Sequence, residues 1–242
     1  MKIIKHIPNT ITSMNLLCGV LGVIFAFKGS LDIAFCLMLA GAVCDFCDGL
    51  AARMLKAYSP MGKELDSLAD LITFGLLPSV MLYKCMDLYH PGEWFCYIPL
   101  VIVIFSALRL AKFNVDERQS ENFIGLATPA CAMICGSFAV IAHYDLNNIV
   151  GIFTESTWMI PAGSVILSYL LVSEIPMFSM KFKKDAPADL KWIRLAFITV
   201  AVVALVATMI IVQPVTHAVS HAVLFIFIAY ILMNLVQAVF KK

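Results

Sequence analysis

The sequence predicts an all-α, polytopic membrane protein with about eight transmembrane helices. Three observations carry that prediction. The 242 residues are 62% hydrophobic with a mean hydropathy of +0.93, whereas a soluble domain is nearer half apolar. Apolar runs long enough to cross a bilayer recur along the whole length, which excludes a soluble domain on a single anchor. The basic residues divide unevenly between the two ends of those runs, as cytoplasmic retention of positive charge requires.

The expected spans are roughly 9–27, 31–54, 63–85, 94–113, 127–144, 157–175, 193–212 and 218–240. The first follows Lys2 and Lys5, so it could be mistaken for a signal peptide. Pro8, Asn9, Thr12 and Asn15 interrupt its start, however, and it ends in Ala26-Phe27-Lys28 without a small-x-small cleavage site, so it reads as a retained helix. The second span closes on Arg53 and Lys56. Ser59-Pro60-Met61-Gly62 then ends one helix and frees the next to begin. Residues 114–127 join the fourth and fifth spans, and the most polar stretch, 181–191, joins the sixth and seventh. The last two spans carry no interior charge and read as scaffold or an oligomer surface. No internal repeat or low-complexity segment is present.

With the N-terminus in the cytoplasm, the inner segments hold Lys2, Lys5, Arg53, Lys56, Lys63, Arg109, Lys112, Arg118, Lys181, Lys183, Lys184, Lys191, Arg194, Lys241 and Lys242. The outer loops hold only Lys28 and Lys84, so two of the 17 basic residues fall outside. Removing one helix would scramble that split, which supports cytoplasmic N- and C-termini. The net charge of +1 says nothing about partners by itself, and no nucleic acid is expected. Eight cysteines lie mostly inside apolar runs and read as buried free thiols rather than a disulfide framework. Cys44-x-x-Cys47 has metal-ligand spacing, but each thiol precedes an acid and turns to a neighbouring face, so a zinc pair is not expected.

The chemistry concentrates in 26 residues, Asp45-x-x-Asp48-Gly49-x-x-Ala52-Arg53, eight residues, then Gly62-x-x-x-Asp66-x-x-x-Asp70. Acids inside an apolar span cost several kcal/mol each and are retained for a function. Asp45 and Asp48 are i, i+3 and Asp66 and Asp70 are i, i+4, so each pair shares a helix face. At about 1.5 Å per residue, Asp48 lies roughly 7 Å inward of Arg53 and Asp45 roughly 12 Å; from Gly62, Asp66 lies about 6 Å in and Asp70 about 12 Å. On antiparallel neighbours the acids match in depth, Asp48 with Asp66 and Asp45 with Asp70. Converging carboxylates need cations, and hard oxygen ligands favour magnesium, manganese or calcium. Gly49 and Ala52 leave room beside Asp48 for a bulky polar ligand. Gly62 sits at a helix start that favours anions, and Arg53 offers a planar fork to phosphate. The residues therefore point to a metal-bound pyrophosphate or phosphodiester at the cytoplasmic face.

That segment resembles the signature of the CDP-alcohol phosphatidyltransferases, D-x-x-D-G-x-x-A-R-x(8)-G-x-x-x-D-x-x-x-D, at Asp45, Asp48, Gly49, Ala52, Arg53, Gly62, Asp66 and Asp70 without a gap. The resemblance implies a catalytic core of six membrane helices, here within 1–180, followed by two further helices in 181–242. It implies two divalent cations, Mg2+ or Mn2+ with Ca2+ a possible occupant, on Asp45, Asp48, Asp66 and Asp70. Asp70 would also be the catalytic base, and Gly49, Ala52, Arg53 and Gly62 would line the nucleotide site with Asp48.

Flanking blocks resemble the branch of the family whose acceptor alcohol is L-serine. They are Ile7-Pro8-Asn9-x-x-Thr12-x-x-Asn15-Leu16-x-Cys18-Gly19, Asp66-Ser67-Leu68-Ala69-Asp70-Leu71, Ala107 to Asn114, and Phe123-Ile124-Gly125-Leu126-x-Thr128-Pro129-Ala130. Ala127 departs from a proline frequent there. The implied substrates are CDP-diacylglycerol and L-serine, the products phosphatidylserine and CMP, the surroundings membrane lipid, and the assembly a homodimer in a bacterial-type cytoplasmic membrane. Serine brings a carboxylate, so Arg109 and Lys112, i, i+3 at the cytoplasmic end of the fourth span, are candidate serine ligands; interfacial snorkelling is the other reading. Asn9, Thr12 and Asn15 share one face of the first helix and are candidate ligands for cytidine or phosphate, or else polar helix–helix contacts. Another alcohol, such as glycerol 3-phosphate, inositol or choline, is the nearest competing acceptor. A cation transporter would spread its acids near mid-membrane across repeats, unlike this cluster.

Overall fold

A computed structural model describes residues 6–116, 123–144, 156–177, 188–212 and 215–240. Among the described residues the helices follow one another in the expected order: α1 Ile7–Phe27, α2 Leu31–Met54, α3 Pro60–Tyr89, α4 Trp94–Val115, α5 Thr128–Tyr144, α6 Met159–Val172, α7 Ala188–Ile211 and α8 Val215–Phe240. α1 to α4, and His217–Gln237 within α8, are long and apolar enough to cross a membrane; α5, α6 and Leu195–Ile211 of α7 are shorter apolar helices. Lys2, Lys5, Arg118, Lys181, Lys183, Lys184, Lys241 and Lys242, all assigned to the inner face above, lie outside the described residues.

α3 is the central helix. Its apolar window is 61% buried, against 28% for α1 and for α2. Phe74, Leu77 and Met81 of α3 are fully enclosed, in one core with Met38 of α2, Ile102 of α4 and Ala139 of α5. α3 begins at Pro60, earlier than the hydropathy suggests. Ser59 caps it by accepting the Gly62 N–H at 2.9 Å, and the proline occupies the first turn, where its missing N–H costs nothing. The same short connection ends α2 sharply. Lys56 takes a left-handed φ of 49°, and the Ala57 N–H donates back to the Ala52 carbonyl at 3.0 Å.

Two local departures from a regular helical bundle matter for the site. Leu71–Leu76 forms a π-helical turn immediately after Asp70, a distortion that recurs near functional residues. A two-residue antiparallel ladder also pairs β1 Phe123–Ile124 with β2 Pro176–Met177, Phe123 opposite Met177. It folds the chain over the C-terminal end of α6, where Gly125 donates to the Ile175 carbonyl at 2.9 Å and Leu126 to Leu170 at 2.8 Å. Gly125 has φ +76°, and a Cβ there would sit 2.8 Å from the Leu171 and Ser173 carbonyl oxygens, so only glycine fits. Nothing in the hydropathy of an all-α chain marks a ladder this short.

Candidate active site

The four acids come from two antiparallel helices that α1 clamps from the side. Asp45 and Asp48 project from α2 and Asp66 from the first turns of α3. One carboxylate oxygen of each lies within 4.8 Å of the others. Asp48 is 6% exposed, and Asp45 and Asp66 are half-buried. Asp70 lies one helical turn deeper, 9% exposed, within electrostatic reach of Asp45, Asp66 and Arg109. Three acids therefore form the tight cluster, with Asp70 behind it.

α1 supplies the side chains that orient these acids. Thr12 Oγ1 donates to Asp48 Oδ2 at 2.5 Å and Asn15 Nδ2 donates to Asp70 Oδ1 at 3.2 Å. The Asn15 backbone is held in turn, its carbonyl accepting from Thr73 Oγ1 at 3.0 Å across to the π turn. Of the three polar residues on that face, Thr12 and Asn15 contact acids, whereas Asn9 stands at the mouth. A Cβ on Gly62 would lie 2.9 Å from Asn9 Oδ1 and 3.0 Å from Ser59 Oγ, so a larger residue would push the Asn9 side chain and the Ser59 cap aside. Gly49 is open on its outer side. Arg53 folds over it and donates from Nε to the Gly49 carbonyl at 3.2 Å, leaving an exposed guanidinium beside the cluster. Ala52 is half-buried one turn from Asp48.

The donor set fits a hard divalent cation. Every ligand candidate is a carboxylate oxygen, and the buried atoms Asp66 Oδ1 and Asn15 Oδ1 have no hydrogen-bond partner among the described residues. The second-layer bonds from Thr12 and Asn15 are of the kind that fix ligand orientation around a metal.

The two basic candidates on α4 diverge. Arg109 is 8% exposed rather than at the interface. Its Nη1 donates to Thr128 Oγ1 at 3.0 Å, and its guanidinium lies 5.3 Å from the Phe113 ring centre. Its Nε is buried and has no partner among the described residues. Lys112 instead turns outward and pairs with Glu174 at 3.6 Å. The structure thus brings Arg109 toward the acids and leaves Lys112 away from them. The sequence reading missed two contributors. Thr73 reveals itself only through the π turn. Ser67, noted in the sequence as a flanking residue, accepts from Asn114 Nδ2 at 2.9 Å while Lys63 Nζ donates to the Asn114 carbonyl at 2.8 Å, which staples α3 to the end of α4.

A model of the CDP-alcohol phosphatidyltransferase family matches residues 5–170, the stretch that contains this site. The chain belongs to that family. It is a membrane-embedded transferase of phospholipid biosynthesis. It is 36% identical over 187 residues to a CDP-diacylglycerol–serine O-phosphatidyltransferase of Bacillus subtilis, covering 77% of this chain and 97% of that protein. It is 33% identical over 219 residues to the protein of the same name from Mycobacterium leprae, covering 87% and 69%. It is 32% identical over 145 residues to an archaetidylserine synthase of Methanothermobacter thermautotrophicus, covering 57% and 60%. The eight signature positions fall within the matched span, as do all the contacts among Thr12, Asn15, Asp48, Asp70 and Arg109 described above.

Proposed function

We propose that this phosphatidyltransferase transfers the phosphatidyl group of CDP-diacylglycerol to L-serine, giving phosphatidylserine and CMP. The observation that carries the acceptor assignment is Arg109, a buried guanidinium near Asp70 whose Nε has no partner among the described residues. A serine carboxylate would satisfy that Nε and the charge together. The names of the relatives support the same alcohol.

Asp45, Asp48, Asp66 and Asp70 would hold two divalent cations, Mg2+ or Mn2+. When bound, such ions neutralise the diphosphate and stabilise charge at the transferring phosphorus. Arg53 binds the outer phosphate, and Gly49, Ala52 and Gly62 leave space for the nucleotide, with Asn9 at its edge. Thr12 and Asn15 keep Asp48 and Asp70 in orientation. Arg109 holds the serine carboxylate so that its hydroxyl faces the lipid-bearing phosphorus. The serine oxygen forms the new P–O bond, the P–O bond to CMP breaks, and Asp70 accepts the hydroxyl proton. Ser67 is engaged with Asn114 at the end of α4, which supports direct transfer over a covalent phosphatidyl-enzyme. The site opens to the cytoplasm in this reading, with both termini on that side and the enzyme a homodimer.

The deciding experiment is a radiolabel assay of the purified protein with CDP-diacylglycerol and Mg2+ or Mn2+, comparing serine, glycerol 3-phosphate, inositol and choline. Labelled phosphatidylserine that disappears in Asp70→Asn is the expected result. Turnover of a different alcohol in place of serine refutes the acceptor assignment, and retention of configuration at phosphorus refutes direct transfer.

A further inference from the structure

α3 grips Asn15 of α1 at two points. The Asn15 side-chain Nδ2 donates to Asp70 Oδ1 at 3.2 Å, and the Asn15 backbone carbonyl accepts from Thr73 Oγ1 at 3.0 Å. Both Asn15 and Thr73 are fully enclosed. Thr73 lies inside the π turn Leu71–Leu76, and two glycines let the neighbouring helices close on it. A Cβ on Gly19 of α1 would lie 3.0 Å from the Thr73 Cα and backbone nitrogen. One on Gly41 of α2 would lie 2.6 Å from Thr73 Cγ2 and 2.9 Å from Asn15 Oδ1. Buried hydroxyls elsewhere in the bundle turn back on their own helices: Ser79 donates to the Gly75 carbonyl, Ser164 to Ile160 and Thr208 to Ala204, each four residues back. Thr73 reaches across to α1 instead.

We infer that Thr73 is a positioning residue for Asp70: its hydroxyl anchors the Asn15 backbone and so keeps the Asn15 amide aimed at the carboxylate. The inference rests on the metal-holding role proposed above for Asp70. Asn15 Oδ1 has no partner among the described residues, so the bond to Asp70 does not by itself fix where the amide sits. A side-chain amide inherits its position from the backbone that carries it. Gly19 offers no side chain to interlock with α3 at this level, and the hydroxyl–carbonyl bond therefore sets the roll of α1 there. With the bond in place, one Asp70 oxygen is engaged by Asn15 and the other is left to face the cations.

The test uses the full chain in detergent, with Mn2+ binding read from the electron paramagnetic resonance signal of the free ion, thermal unfolding alongside, and kcat from CMP release. Thr73→Ser and Thr73→Ala both lose the methyl group toward Gly41 and differ only in the hydroxyl. Both should unfold below the wild-type temperature. Mn2+ binding should weaken about tenfold in Thr73→Ala and stay within about twofold of wild type in Thr73→Ser. Adding Thr73→Ala to Asn15→Ala should weaken Mn2+ binding no further than Asn15→Ala alone, because Thr73 acts through Asn15. Equal Mn2+ affinity in Thr73→Ser and Thr73→Ala overturns the inference, since affinity would then follow packing and not the hydroxyl. So do losses that add in the double variant. If the wild type binds no Mn2+, the metal-holding role of Asp70 fails by itself, and kcat in the same four variants decides the role of Thr73 by the same comparisons.

Discussion

The seam where α1 and α2 meet α3 is built differently from the seam between α7 and α8. Glycines line the first. Gly19 lies against the backbone and hydroxyl of Thr73, Gly22 against Leu77, and a Cβ on Gly41 would fall 2.6 Å from Thr73 Cγ2 and 2.9 Å from Asn15 Oδ1. Buried polar groups bridge it, Thr12 to Asp48, Asn15 to Asp70 and Thr73 to Asn15. The second seam is an open apolar groove lined by residues such as Val203, Ala207, Phe225 and Leu232, beside the exposed Val202, Val206 and Ile210 of α7. In lipid, apolar side chains gain nothing by leaving the surrounding tails, so close approach depends on small residues and interhelical hydrogen bonds. Those devices gather where carboxylates must be held in register, and they are sparse where a helix pair only has to exist.

The sharpest way to break this contrast is at the acids themselves. Asp66→Asn removes one corner of the three-carboxylate cluster and should lower kcat on the order of 10^3-fold while the protein still purifies as a monodisperse species. Near-normal turnover would detach the cluster from catalysis. Gly19→Leu attacks the seam instead. Its side chain must displace the Thr73 backbone, a cost of about 3 kcal/mol, read as a lowered thermal midpoint and poor recovery from detergent.

Asn15→Ala leaves the seam's shape and removes one orienting bond. The concentration of Mn2+ giving half-maximal activity should rise about 10- to 100-fold, with the unfolding temperature little changed. Ser67→Ala cuts the α3–α4 staple outside the acid cluster and should cost about 1 kcal/mol, visible as a several-fold change in serine KM and little in metal dependence. At the other seam, Val203→Ala trims an exposed lipid-facing residue and should stay within about 0.5 kcal/mol of wild type. If Val203→Ala proved as damaging as Gly19→Leu, the two seams would not differ as argued.

Much of this was legible in the residues. The apolar runs appear as helices, five of them among the described residues long and apolar enough to cross a membrane, because a membrane leaves backbone groups no alternative to internal hydrogen bonding. The spacing of Asp45 with Asp48 and of Asp66 with Asp70 foretold two facing acid pairs, since helical rise and twist are constant; the structure draws Asp45, Asp48 and Asp66 into one cluster and sets Asp70 behind it. The shared polar face of Asn9, Thr12 and Asn15 was visible too, although its division into two acid-orienting residues and one at the mouth was not.

By itself the sequence determined the helical class, the order of the helices and the acidic cluster with its glycine-lined flank, because all of these follow from local periodicity and solvent preference. Only the tertiary structure decided that Arg109 turns inward while Lys112, one turn on, turns out to Glu174. It alone revealed the π turn that brings Thr73 to Asn15 and the ladder over α6. Each depends on which helix lies alongside, and residues separated by up to 62 positions, as Lys112 and Glu174 are, carry no mutual signal along the chain.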